Sequence, residues 1–171
     1  GTITNSATSG VGIMGRENEV TLEDVHIEGI EFGEAELGEG VHLFAARAAL
    51  IDVSSIRNAG AGVLVEQSTL SAQNLRVDQN GGPGMVLVDS REGTQIEMLS
   101  ALENTGAGAL VLQGFAAFNQ PVIQGTHAGL GVGPGDGLSA AFGGTINVQG
   151  GQSDENAGSG FSVLPGSHGV F

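Results

Sequence analysis

The chain has 171 residues, enough for one domain that buries most of its apolar surface. It carries 31 glycines and five basic residues (all arginine) against 19 acids, for a formal net charge of −14. That charge repels phosphate backbones and anionic lipid surfaces, so nucleic-acid binding and membrane-surface binding are not expected. We read the acidity as keeping a repetitive β surface soluble.

Several other classes fall away at once. Cysteine is absent, which excludes a disulfide framework, a thiolate metal site and a thiol nucleophile. No apolar run approaches the roughly 18 residues that would span a bilayer. The opening Gly1-Thr-Ile-Thr-Asn5 has no basic leader, so a signal peptide is expected to be either gone or never to have existed.

In chain order, Ile3 and Ile13 flank a first Gly-x-Gly. The stretch from Val20 through Leu22 to Ile27 then alternates apolar and polar, with one slip at Glu23-Asp24. Alternation argues for strand, and the slip predicts a bend between two short strands. The segment from Glu17 to Glu39 holds many of the acids, on the expected solvent side. Val41-His-Leu43, Ala48–Val53 and Ile56 come next; Val63-Leu-Val65, Leu70 and Leu75-Arg-Val77 follow nearly in register. Met85–Val88, Ile96-Glu-Met98 and Leu102 repeat the pattern. Ala109–Leu112, Phe115, Phe118 and Pro121–Ile123 then lead to a Gly-Pro-Gly-Asp-Gly loop at 133–137. Phe142, Ile146-Asn-Val148 and Phe161–Leu164 close the chain. No segment keeps the i, i+3, i+4 pattern long enough for a helix, so helix content should be close to nil.

What ties these segments together is Asn58-Ala-Gly60-Ala-Gly62-Val63. Read as X-x-Gly-x-Gly plus an apolar residue, it recurs with X at Thr8, Glu36, Asn58, Asn80, Asn104, His127 and Asn156, at periods of 28, 22, 22, 24, 23 and 29 residues. The re-entering apolar residues are Ile13, Val41, Val63, Met85, Ala109, Val132 and Phe161. Self-similarity at this period is the mark of a solenoid. Three short strands per coil would stack about 4.8 Å apart, each on its equivalent one repeat later. The glycines are expected to supply positive φ at a sharp corner, and Asn58, Asn80 and Asn104 to stack as an amide ladder.

This repeat resembles that of the pectate-lyase-like superfamily, whose Asn-x-Gly-x-Gly turns precede a strand. The resemblance covers essentially the whole chain. It implies an all-β, right-handed parallel β-helix of about six to seven coils of 22–29 residues, in a single domain 1–171 that we expect to be a fragment of a longer β-helical protein. Thr8, Glu36 and His127 depart from asparagine, so the ladder should be continuous only in the middle coils.

The candidate chemistry is sparse. Gly10-Val-Gly12-Ile-Met-Gly15 fits a dinucleotide-binding pattern, but strand alternation follows it where a helix is required. Gly131-Val-Gly133-Pro-Gly135-Asp136 is similar to one calcium-binding nonapeptide, in a single copy where several are needed. His26, His42, His127 and His168 lack metal-ligand spacing. Lyases of the resembled superfamily use a basic residue and calcium; only Arg16, Arg47, Arg57, Arg76 or Arg91 could serve, and Arg57 and Arg76 read as near-equivalents in adjacent coils. Trp and Tyr, the common sugar platforms, are absent.

The expectation is therefore no catalytic, cofactor-binding or metal residue, and no cofactor, with calcium the one alternative considered. The function expected is a noncatalytic rigid spacer or adhesin-like stalk, extracellular or at the cell surface. The alternatives are a polysaccharide lyase, glycoside hydrolase or glycan-binding module, and a filament subunit joined through uncapped ends. The expected partners are the remainder of a longer chain, stacked copies or a polysaccharide.

Overall fold

The computed structural model describes residues 1–4, 9–15, 19–32, 38–129 and 134–171. It is built of parallel strands wound around one axis, with no helix among the described residues. In chain order the strands are β1 (Thr2–Thr4), β2 (Ser9–Met14), β3 (Glu19–Glu23), β4 (His26–Glu28), β5 (Glu39–Phe44), β6 (Arg47–Ile51), β7 (Ser54–Ile56), β8 (Val63–Glu66), β9 (Thr69–Gln73), β10 (Met85–Ser90), β11 (Gln95–Glu97), β12 (Ser100–Leu102), β13 (Ala107–Asn119), β14 (Val122–Gln124), β15 (Asp136–Gln149), β16 (Gln152–Asp154), β17 (Phe161–Val163) and β18 (His168–Val170).

They form three faces. Face I stacks β2, β5, β8, β10, the first half of β13, the first half of β15, and β17. Face II stacks β3, β6, β9, β11, the second halves of β13 and β15, and β18. Face III stacks β1, β4 and β7, then Arg76 through isolated bridges to Ser54 and Ser100, then β12, β14 and β16. The bend expected at Glu23-Asp24 is the corner between β3 and β4. One apolar core runs the length of the axis, with Ile27, Leu43, Leu50, Leu70, Leu75, Leu87, Phe118 and Ile123 at no more than 1% exposure.

The corners are made differently from the sequence expectation. Among the described residues, all fourteen non-glycine positions with positive φ fall into three rows, one per corner. Ala45, Gln67, Asp89, Gln113 and Phe142 turn face I into face II, at φ from 50° to 55°. Asp24, Asp52, Asn74, Met98 and Gln120 turn face II into face III; Arg57, Gln79, Glu103 and Glu155 end face III. A left-handed residue with a side chain costs about 1–2 kcal/mol, and here the stacked coils hold it in place.

The glycines of the repeat mostly answer to space. At Gly62 an added Cβ would lie 2.6 Å from Gly84 O and 2.7 Å from Asn80 Nδ2. Gly10, Gly40, Gly84, Gly108 and Gly137 are each crowded in the same way, by the carbonyl of the corresponding glycine one coil on. Among the described glycines of the repeat, only the leading Gly38, Gly106 and Gly135 have positive φ, at 84°, 97° and 87°.

This glycine row corrects two assignments. Val11, and not Ile13, pairs with Val41, so the first copy re-enters two residues earlier. Ala109 pairs with Leu138, so the sixth copy runs through Gly135-Asp136-Gly137, whereas Gly131 and Val132 lie outside the described residues.

The ladder is corrected too. Asn58, Asn80 and Asn104 form it as expected, with Asn58 N and Nδ2 donating to Asn80 Oδ1, and Asn80 N and Nδ2 donating to Asn104 Oδ1. On the amino-terminal side Ile30 N donates to Asn58 Oδ1, so the preceding place belongs to Ile30 and not to Glu36. Thr126, not His127, holds the place facing Asn156: both its N and its Oγ1 donate to Asn156 Oδ1. Thr8 and Glu36 themselves lie outside the described residues. The two long coils thus insert at one corner, between Ile30 and Gly38 and between Thr126 and Gly135.

Candidate functional site

A β-helix offers chemistry only on its outer faces, because alternate side chains of each strand fill the core. On face I the outward register runs Met14, Phe44, Glu66, Val88, Leu112, Ala141 along one column, and His42, Leu64, Val86, Leu110, Ser139 along the next. Apart from the hydrogen-bonded pair His42 Nε2 and Glu66 Oε2, at 2.7 Å, most of this surface is apolar.

Toward the carboxy-terminal coils the columns border a groove of about 450 Å³, lined by Leu110, Leu112, Ala141, Phe142 and Leu164, with Asp136 at one end. Phe142 stands at its corner position with 77% of its surface exposed. Asp136 is buried, and its Oδ1 accepts a hydrogen bond from Ser159 N at 2.8 Å. A groove of this size suits a small ligand. Face II is polar by contrast, with a shallow depression of about 210 Å³ walled by Gln95, Glu97, Asn119, Asn147 and Gln149.

Face III carries the arginine–carboxylate pairs of the described residues. His26 and Ser54 are register partners in β4 and β7, and His26 Nδ1 lies 2.6 Å from Ser54 Oγ. His26 Nε2 lies 3.0 Å from Glu28 Oε2. Arg57 donates from Nε, at 2.7 Å, and from Nη2 to Glu28 Oε1. The hydrogen bond from His26 and then those from Arg57 hold the Glu28 carboxyl below the usual carboxylate range. Further along, Gln79 Nε2 donates to Glu103 Oε2 at 2.8 Å. Arg76 Nε donates to the buried Asp78, whose Oδ1 accepts from Leu102 N at 3.0 Å.

Of the residues named from sequence, Gly10 and Gly12 lie on β2 and open no helix. Arg57 and Arg76 are not equivalents: Arg76 shares Ser54's column, whereas Arg57 sits at the corner and matches Gln79. Arg47 pairs with Glu19 and Thr69 in register on face II, and Arg91 follows β10. Arg16 lies outside the described residues. The four histidines are not brought together: His26 is on face III, His42 on face I, His127 in a bridge to Thr105, and His168 on β18. Among the described residues no three His, Asp or Glu side chains converge as metal ligands.

Ser54, Glu28 and Phe142 were not singled out as site residues from sequence, and Asp136, named there as part of a calcium-type nonapeptide, has its Oδ1 bonded to Ser159 N. The signal for Ser54 was nevertheless available: it follows His26 by 28 residues, the length of the first repeat, so the two must stack.

The family model for right-handed β-helix regions matches residues 1–130. No curated protein and no solved structure matches the chain. With the family pattern running through most of the sequence and parallel coils observed along its length, the chain belongs to the right-handed β-helix family.

Proposed function

We propose that this β-helix is a rigid structural rod, a spacer or adhesin-like stalk at the cell exterior that presents its outer faces at fixed spacing. The observation that carries this reading is how its buried polar groups are used. The amides of Asn58 and Asn80 bond to the next coil, and no buried side-chain nitrogen or oxygen among the described residues lacks a partner. Networks satisfied in this way fix one packing and resist bending. The groove on face I gives such a stalk a surface to present.

Spin labels at Thr21 and Asn147 test the rod directly. The two sites share an outward column of face II, five coil steps apart, so a narrow distance distribution near about 24 Å is expected. Deleting the coil 63–84 should shorten it by about 4.8 Å with the fold retained. A broad distribution, or cleavage of acidic polysaccharides in the presence of calcium, would overturn the reading.

A second reading, continuation by stacking, is favoured by the order of faces. Strands β16, β17 and β18 present edges on faces III, I and II, the same order in which β1, β2 and β3 do. Phe161 and Val163, which occupy core register on Leu138 and Ala140, are 40% and 39% exposed. The remainder of a longer chain or another copy would cover them. Light scattering over a concentration series separates the two, since growth in mass requires another copy.

A further inference from the structure

Face III assembles three groups whose roles in acyl transfer follow from their chemistry. Glu28 Oε1 is held by Arg57, so Oε2 faces His26 as a carboxylate oxygen that can only accept. His26 Nε2 therefore carries the ring hydrogen. Nδ1 is then the bare nitrogen and takes the Ser54 Oγ–H hydrogen bond at 2.6 Å. Ser54 Oγ has no other hydrogen-bond partner among the described residues, and Ser54 is only partly buried. A nucleophile, a base and a group that orients the base make the arrangement from which serine hydrolysis works on unrelated folds.

The neighbouring coils complete it. Arg76, the next residue along Ser54's outward column, sits on the side opposite His26, about 4.8 Å further along the axis. Asp78 holds its Nε, and its Nη groups have no hydrogen bond among the described residues.

We propose that Ser54 is a nucleophile toward carboxylic esters of short acyl groups, with His26 as its general base. Arg76 faces the oxyanion that forms, and Glu28 is a positioning residue acting through His26. This activity goes beyond the rod reading and stands independently of it.

Ser54 Oγ bonds to the carbonyl carbon as its proton passes to His26 Nδ1. Collapse of the adduct breaks the bond between that carbon and the alcohol oxygen, and the alcohol leaves with the proton from Nδ1. Water, deprotonated by the same nitrogen, then splits the acyl–Ser54 ester to give the carboxylic acid and free Ser54. Nothing is oxidised or reduced.

The whole chain should be assayed with p-nitrophenyl acetate, and labelled with a fluorophosphonate whose position is read by peptide mass spectrometry. Saturable turnover and label on Ser54 are expected. Ser54→Ala should abolish both, and because the site is partly exposed its circular dichroism should match the parent. His26→Gln should lower kcat by about a hundredfold or more. Glu28→Gln should lower kcat with KM unchanged, and Glu28→Asp should restore part of it. Label no heavier on Ser54 than on Ser100, or turnover that survives Ser54→Ala in a folded protein, would overturn the proposal.

Discussion

Asn80 donates to Asn104 Oδ1 twice, from its backbone N at 3.0 Å and from its side-chain Nδ2 at 3.0 Å, while its own Oδ1 receives the same two donors from Asn58. Asn80 Nδ2 also reaches Ser55 O at 3.1 Å. One buried side chain thus serves both neighbouring coils. Asn80→Ala would strand several buried groups at about 1–3 kcal/mol each. We expect a loss of about 3 kcal/mol or more, read from urea denaturation, and a loss under 1 kcal/mol would show that the ladder is ornamental.

The glycine row gives a sharper contrast. Gly62→Ala must push a Cβ against the carbonyl of Gly84, whereas at Gly12 nothing lies within 4 Å of an added Cβ. Gly62→Ala should cost about 2 kcal/mol or more, while Gly12→Ala should be neutral or slightly stabilising. Both glycines read alike in the sequence motif. Equal melting shifts for the two variants would refute the stacking account.

Corners offer a route to stabilisation. Gln67 holds φ at 51° with its side chain exposed. Gln67→Gly removes the left-handed penalty and loses some of it again to unfolded-state entropy, for an expected gain of up to about 1 kcal/mol. Gln67→Val should move stability the other way, and thermal melts of the pair check the sign.

Glu28 gives a pH prediction. The hydrogen bonds from His26 and Arg57 hold its folded-state pKa below the ordinary glutamate range, so the stability it contributes is present at neutral pH and is lost as pH falls through the folded pKa. The melting difference between the parent and Glu28→Gln should therefore shrink as the buffer is taken from neutral into the acid range. A difference independent of pH would mean that the pairing with His26 and Arg57 contributes nothing.

The architecture was legible because each coil repeats the same steric problem, and sequence records it as a period. The middle coils, through Asn58, Asn80 and Asn104, were placed correctly by inspection. The first and sixth copies were not, because insertions between Ile30 and Gly38 and between Thr126 and Gly135 shift the motif away from the strand it serves. Spacing alone attached the glycines to His127, whereas the three-dimensional register attaches them to Thr126. The left-handed corner rows carry no common residue type, spanning Ala45, Met98, Arg57 and Phe142, and so leave no sequence signature. Face III was hidden for another reason: His26 and Ser54 become neighbours only when distance is counted in coils.

The asparagine row also has a direction. The side-chain amides of Asn58 and Asn80 both give a hydrogen toward the carboxy-terminal coils, so their dipoles add along the axis instead of cancelling. Each bond polarises the next, and the row ends where Asn104 Nδ2 turns aside to Val77 O. The two ends of the row are therefore electrically unlike. A coil grafted beyond Asn104 with asparagine at the Thr126 position would lengthen a polarised wire, while the same coil inserted in reverse order of donors would meet it head-on.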